Sequence, residues 1–380
     1  MTHPILSAVP VSGRAPFVTI DGWALKANWR HMANLAPGAR TGAAVKANGY
    51  GLGAPLVAKA LFAAGCREFF VAWASEGLEI RQALANTNCR VFVLQGMDRE
   101  AAELCRAHRL IPVLSSREDV RIFAESAAGT LPAPAALQFE TGMNRLGLAE
   151  ADARDALTIA RLGGFDVALV MSHLASADDP ASEQNEQQRL SFQHLAALFP
   201  QVARSLANSG GVFLGAPYHF DLTRPGIALY GGEAHLDPMG ALRPVATLYA
   251  RVLQVHTATG GEAAGYGATA RLDRATRIAT VGIGYADGYP RTASGVTSLR
   301  SAQPAPEMAI AGHRAPVLGR ISMDMTLLDV TNLPDDAVQP GDVAEVFGPN
   351  IPIDEVAARC GTISYELLTA LGSRVQRFAI

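Results

Sequence analysis

Cysteine is scarce in this chain and poorly placed for cross-linking. Four occur in 380 residues, at Cys66, Cys89, Cys105 and Cys360, with no CxxC pair. That spacing excludes a disulfide framework and a cysteine-based zinc site, and it suits a reducing compartment; no metal is expected. No apolar run approaches the ~18–20 residues needed to cross a bilayer. The opening stretch, MTHPILSAVPVSGRAP, lacks the basic start and apolar segment of a secretion signal, so the expected location is the cytoplasm. Charge of one sign is nowhere concentrated, and the formal net charge is −3. Neither nucleic acid nor an anionic membrane surface is therefore an expected partner, and small-molecule chemistry is. Lysine is confined to Lys26, Lys46 and Lys59, which restricts any lysine-dependent chemistry to three candidates.

What the chain does have is a globular composition, with 49% hydrophobic residues, 36 glycines and 22 prolines. From about residue 20 to 230, short apolar, β-branched runs alternate with helix-period segments, the pattern of repeated βα units. Strands are predicted to end near Lys46, Ser75, Gly96, Ser115, Glu140, His173, Asn208 and Leu222. Eight such units over more than ~200 residues favour a closed (β/α)₈ barrel of the TIM type over an open doubly wound sheet. Beyond residue 240 the runs VATLYARVLQVH, RIATVGIGYA, APVLGRISMDMTLLDV and DVAEVF are separated by Gly, Pro and Asp clusters and read as antiparallel strands. ISYELLTALGSRV has helical spacing, with Leu367, Leu368 and Leu371 on one face. The expected organisation is an N-terminal extension at 1–16, an α/β barrel at 17–240 and a mainly-β domain at 241–380.

Lys46 ends an apolar run in AVKANGYGLG, which puts it at the C-terminal mouth of such a barrel, where barrel active sites are built. Apolar walls lower an ammonium pKa and leave more neutral amine to attack an aldehyde or take a proton. Gly49, Gly51 and Gly53 let backbone pass close to a ligand. Lys26 and Lys59 lie in helix-period segments and read as exposed helical charges. After the seventh and eighth strands stand Asn208-Ser209-Gly210-Gly211 and Arg224-Pro225-Gly226-Ile227, where barrels commonly hold phosphate with backbone N–H groups and a hydroxyl.

AVKANGYGLG, ETGMNRLG, RPGIALYG, GYGAT, GYADGYPR and GRISMD occur in this order. Together they resemble the motifs of the alanine racemases, pyridoxal-phosphate enzymes of fold type III, over nearly the whole chain from residue 17 onward. The resemblance implies an isomerase that interconverts L- and D-alanine through an external aldimine, whether to supply D-alanine for peptidoglycan or to degrade it. Lys46 would hold pyridoxal 5′-phosphate as a Schiff base, with Tyr50, His173 and Asn208 around the cofactor. The Ser209 hydroxyl and the backbone of Gly226 and Ile227 would take its phosphate, joined by the Tyr365 phenol. Arg224 would donate to the pyridine nitrogen, supported by His173. Because arginine hardly ever gives up its proton, it cannot protonate that nitrogen; the ring becomes a weaker electron sink, and the transamination side reaction should be suppressed.

A racemase removes the Cα proton from one face and returns one to the other, which two groups on opposite sides do most directly. Lys46 serves one face; the resemblance gives the other to Tyr266, from the second domain of a partner subunit. A phenol ordinarily titrates near ~10, so that role calls for nearby positive charge. By the same resemblance Tyr285 narrows the entrance, the Met323 N–H binds the substrate carboxylate with Arg145, and Asp324 supports the network. A head-to-tail homodimer with composite sites follows. One position departs from the pattern: Gln138 stands where many relatives carry a carbamylated lysine that holds the arginine. A neutral amide cannot supply charge-assisted pairing, so the expectation is that Gln138 holds Arg145 with water or an anion, or that Glu140 compensates. The rival readings are a racemase of wider specificity, a barrel decarboxylase, for which Arg224 has little use, and a non-catalytic cofactor carrier, which would lack the second domain.

Overall fold

The eight apolar runs between residues 40 and 223 each give a short parallel strand, and the strands close into a ring. The computed structural model describes residues 13, 15–126, 132–232, 240–295 and 305–380, so most of the expected N-terminal extension lies outside the described residues. The chain forms two compact units, one built mainly from Leu25–Tyr230 and the other from residues up to Ala24 together with Pro244–Ile380.

In chain order, the elements up to residue 223 are β1 (Phe17–Ile20), α1 (Gly22–Leu35), β2 (Arg40–Thr41), β3 (Ala43–Ala44), α2 (Ala54–Ala64), β4 (Glu68–Val71), α3 (Ala74–Ala83), β5 (Arg90–Val93), α4 (Arg99–Ala107), β6 (Ile111–Leu114), α5 (Arg117–Glu125), β7 (Pro134–Gln138), α6 (Glu150–Arg161), β8 (Asp166–Met171), α7 (Glu183–Ala196), β9 (Arg204–Ser205), α8 (Ser209–Phe213), α9 (Ala216–His219) and β10 (Leu222–Thr223). Strands β3 to β9 pair in sequence, all parallel. Strand β10 closes the ring against β2, with Leu222 opposite Arg40, and the Arg224 N–H donates to the Ala207 carbonyl at 2.9 Å on the other side. The interior is filled by Phe70, Phe92, Ile111, Val113, Ala136, Leu169, Met171 and Leu222, with the Phe70 and Phe92 rings stacked at 4.7 Å. That is a packed core rather than a pore, so a ligand can sit only at an end. At the N-terminal end the buried Glu68 pairs with Arg40 at 2.8 Å and with Arg90, which ties neighbouring strands together.

The second unit is a sheet that also closes. Its elements are β11 (Ala246–Ala258), β12 (Ala263–Ala264), β13 (Ala270–Arg271), β14 (Thr276–Val281), β15 (Glu307–Ile310), β16 (His313–Leu318), β17 (Thr326–Asp329), β18 (Val343–Phe347), α10 (Ile353–Cys360), α11 (Ser364–Thr369) and β19 (Gln376–Ala379). The long β11 is bulged between Val252 and Gln254 and pairs with β18 along one part and β14 along another, so the order β11-β14-β17-β16-β15-β18 returns on itself. All these pairs are antiparallel. Closing these six strands in this way leaves β14 and β18 without a free edge.

Three features depart from the sequence expectation. Residues 17–20 belong to the β unit rather than opening the barrel. Every side chain of FVTI is buried, and β1 lies between β11, antiparallel with Phe17 opposite Tyr249, and β19, parallel with Phe17 opposite Gln376. The second strand stops at Val71 rather than near Ser75, because Trp73 caps α3 and Ala74 starts the helix. The helix read from ISYELLTALGSRV is only Ser364–Thr369, although Leu367, Leu368 and Leu371 are all buried as expected.

Candidate active site

At the barrel mouth, the residues after β3, β7, β8, β9 and β10 converge. Lys46 follows β3 directly. The segment Lys46–Tyr50 makes a turn of left-handed helix, with φ of +52° at Ala47, +55° at Asn48, +62° at Gly49 and +54° at Tyr50. Side-chain-bearing residues enter this region at a cost of about 1–2 kcal/mol each, and such strain gathers at functional sites. Hydrogen bonds hold the turn: Gly51 N–H to the Ala47 carbonyl at 2.8 Å, Ala54 N–H to Asn48 Oδ1 at 2.9 Å, and Ala47 N–H to Glu76 Oε1 at 2.7 Å.

Lys46 is an exposed residue overall, yet burial desolvates its amine enough to hold the pKa below the ordinary lysine range. The Arg145 guanidinium lowers it further, and the Glu76 carboxylate works the other way. His173, after β8, is held at about 3 by burial and then by the positive charges of Arg224, Arg145 and Lys46, so its imidazole is neutral. Arg224 is 6% exposed. Its Nη1 donates to Ser205 Oγ, and its Nη2 donates to the Ser172 carbonyl at 2.6 Å and the Leu206 carbonyl at 3.4 Å. Burial pushes its pKa down to about 9, and none of the described acidic side chains opposes that shift. The guanidinium therefore stays charged at neutral pH, a buried cation served by neutral oxygens.

After β9, Asn208 caps α8 by accepting from the Gly211 N–H at 2.9 Å. Ser209 Oγ accepts from the Gly226 N–H at 2.9 Å and the Ala228 N–H at 3.3 Å. Gly226 has no room for a side chain, since a Cβ there would lie 2.3 Å from Tyr50 Oη. The Tyr50 ring stacks on Tyr230 at 4.4 Å, and the Tyr230 hydroxyl donates to the Ala44 carbonyl at 2.9 Å. Ile227 is fully buried at the start of a 3₁₀ turn, Ile227–Tyr230.

Arg145 lies on an exposed loop after β7. Here the structure corrects one expectation: Gln138 is not found bonded to the Arg145 guanidinium among the described contacts. Its Nε2 donates to the Leu146 carbonyl at 2.9 Å instead. Glu140 acts on the backbone of the same loop. Burial works to raise its pKa, but the amides of Asn144, Gly142, Met143 and Arg145 hold the carboxylate below its usual range. The two side chains thus fix the loop that carries Arg145.

The β unit presents a separate set of groups. Tyr266 is 71% exposed and Met323 52% exposed, with Tyr285 and Met325 also exposed. Tyr285 and Met323 lie on adjoining loops, the Tyr285 N–H donating to the Ser322 carbonyl at 3.2 Å and the Ala286 N–H to the Met323 carbonyl at 3.0 Å. Asp324 accepts from Arg374 Nη1 at 2.9 Å, and the same guanidinium reaches the buried Asp287 at 3.0 Å. Arg374 therefore clips the Tyr285 loop to the Met323 loop. The Arg320 guanidinium lies against Gly267, the residue after Tyr266. Tyr365, on α11, is in this unit too.

Residues 20–234 match the family described as alanine racemase, N-terminal domain, and residues 245–379 match alanine racemase, C-terminal domain. The chain belongs to the alanine racemase family. It is 47% identical to the alanine racemase of Rhizobium meliloti over 95% of each chain. It is 45% identical to the biosynthetic alanine racemase of Agrobacterium fabrum over 95% of this chain and 92% of that one. Among solved structures it resembles the alanine racemase of Bartonella henselae, crystallised with covalently bound pyridoxal phosphate, at 36% identity and a TM-score of 0.88; the match covers 97% of this chain and 100% of that one. The enzyme class implied by the sequence motifs, a pyridoxal-phosphate-dependent racemase, is that of this family.

Sequence reasoning missed Glu76, Arg320 and Arg374 in this alanine racemase family member. Arg320 sits inside GRISMD and was open to reading as a nearby charge. Glu76 and Arg374 act on partners 29 and 87 residues away, where no local pattern signals the contact.

Proposed function

We propose that the protein interconverts L- and D-alanine with pyridoxal phosphate held by Lys46. The observation that carries this reading is the buried Arg224 cation, without a carboxylate partner among the described residues, in the same mouth as a desolvated lysine. The residues present fit the cofactor. The acceptor capacity of Ser209 Oγ is filled by the Gly226 and Ala228 N–H groups, so its own proton remains to donate to a phosphate oxygen. The Arg224 bonds use Nη1 and Nη2, which leaves the Nε hydrogen for an uncharged ring nitrogen. His173, neutral and beside that guanidinium, adds no competing positive charge.

Pyridoxal phosphate, when bound, supplies the electron sink that makes the amino acid's Cα proton acidic. Arg224 keeps that sink weak by donating a hydrogen bond it cannot complete as a proton transfer, which favours return of the proton to Cα. The Lys46 amine, its pKa lowered by burial and by Arg145, takes and returns the proton on one face. On the other face the proton is handled by the partner subunit's Tyr266. The exposed Tyr266, Tyr285, Met323 and Met325 favour such a homodimer, because large apolar side chains left bare on one unit are the usual mark of an interaction surface. Met323 N–H and Arg145 bind the substrate carboxylate, and Tyr285 limits the size of what enters. Among the described residues no helix is long and apolar enough to cross a membrane. With four buried free thiols, the cytoplasm is the compartment we assign.

The test is D-alanine formation from L-alanine, repeated with Tyr266→Phe. Turnover should fall by about 10²–10⁴-fold while the cofactor remains bound. Retention of full racemase activity by the variant would remove Tyr266 from the mechanism, and absence of D-alanine with the wild type would remove the function.

A further inference from the structure

We propose that Glu76 is a positioning residue for Lys46: its carboxylate ties the left-handed turn that follows the lysine to the end of the neighbouring strand, and so fixes where the amine stands in the barrel mouth. The proposal rests on the reading of Lys46 as the reactive amine. A glutamate three residues into a helix ordinarily turns back to the N–H groups at the helix start and does nothing more. Glu76 does this with one oxygen, Oε2 accepting from Ala72 at 2.7 Å and Trp73 at 3.3 Å. The other oxygen, Oε1, reaches across to the N–H of Ala47 at 2.7 Å.

Ala47 is the residue after Lys46 and the first of the left-handed turn, with φ of +52°. An alanine adopts that conformation only where its surroundings over-determine it. The Glu76 carboxylate is a part of those surroundings that comes from another βα unit. Freed from it, the turn can relax toward ordinary backbone, and the lysine, one residue away, moves with it.

The same carboxylate has an electrostatic effect. The charged groups that act on Lys46 are Arg145 from the loop after β7 and Glu76 at the start of α3; the neutral His173 after β8 feels the charges of Lys46, Arg145 and Arg224. Among the described residues Glu76 is the acidic one that raises the Lys46 pKa, while burial and Arg145 lower it. An amine that must both take and give a proton works best with its pKa near the working pH. Glu76 offsets part of that fall.

Two variants separate charge from reach. Glu76→Gln removes the charge at nearly the same size; Glu76→Asp keeps the charge but is one methylene short of reaching Ala47 while still capping α3. In full-length protein stripped of cofactor with hydroxylamine, competitive acetylation across pH reads the titration midpoint of each lysine, with Lys26 and Lys59 as internal references. The Lys46 midpoint should fall by about one unit in Glu76→Gln, with the other two unmoved. In Glu76→Asp it should stay near the wild-type value while amide exchange at Ala47 speeds up about tenfold, as expected for loss of a charge-assisted hydrogen bond. An unchanged or raised Lys46 midpoint in Glu76→Gln overturns the proposal. Unchanged Ala47 exchange in Glu76→Asp overturns it as well, and that arm decides alone should the glutamine variant not fold. Borohydride fixation of the cofactor in the wild type distinguishes the failures: cofactor on Lys46 with an unmoved midpoint defeats only the Glu76 role, whereas cofactor elsewhere defeats the reading of the site.

Discussion

Gly226→Ala is the substitution for which the structure gives the most definite expectation. The added Cβ would stand 2.3 Å from Tyr50 Oη and 3.2 Å from Tyr50 Cζ, both inside normal contact. The tyrosine has little room to retreat, because its ring is stacked on Tyr230 at 4.4 Å and Tyr230 is anchored by its 2.9 Å bond to the Ala44 carbonyl. Overpacking a locked interior site costs typically about 1–3 kcal/mol; with an anchored ring in the way and the Ala44 Cβ 3.5 Å off, a loss of about 2–3 kcal/mol is expected. The clash has an identifiable source, which allows a sharper test. Tyr50→Phe deletes the atom at 2.3 Å and leaves the nearest at 3.2 Å, tight but tolerable. Urea unfolding of the wild type, both single variants and the double variant closes a cycle, and the double variant should recover about 1 kcal/mol or more of the Gly226→Ala penalty. Cofactor affinity should follow the same order, because the Gly226 N–H and Ser209 Oγ form one unit. Additivity of the two substitutions within about 0.5 kcal/mol would refute the reasoning from the Tyr50 contact.

His173 should leave a mark on acid stability: its pKa is about 3 in the fold against 6.5 unperturbed, so the unfolded chain binds the extra proton between these values and stability falls as pH drops through that window. His173→Gln should flatten the slope of unfolding free energy against pH between pH 6 and 4 by up to about 1.4 kcal/mol per unit; an unchanged slope would mean that the imidazole is not held neutral. Arg374→Ala should raise KM for alanine several-fold with a smaller change in kcat, because the Tyr285 and Met323 loops lose their shared clip to Asp287 and Asp324; a loss confined to kcat would contradict this. Since Gln138 and Glu140 already fix the Arg145 loop through its backbone, activity should be indifferent to added bicarbonate, and a strong rise would show that a carbamate is needed after all.

Much of this was legible because the chemistry is written in contiguous segments. Several barrel strands are short runs followed within a few residues by a polar side chain, so Lys46, His173, Ser209 and Arg224 could be placed near the mouth from strand endings. What local pattern could not show was long-range pairing. FVTI reads as any buried strand, and nothing in its four residues says that its partners are Tyr249 and Gln376 rather than barrel strands. The left-handed turn was hidden for a different reason: glycines announce positive φ, but Ala47 and Tyr50 do not, and they hold it because of contacts made after folding. Glu76 and Arg374 escaped notice for the same cause, their importance lying in an Ala47 N–H and an Asp287 carboxylate far along the chain.

The chemistry of the barrel mouth depends on one amine, that of Lys46. Borohydride reduction of the purified holoenzyme, followed by proteolysis and mass spectrometry, should place a reduced pyridoxyl phosphate on the peptide that contains Lys46 and on no peptide containing Lys26 or Lys59. Label on either of those lysines, or on none, would contradict the account.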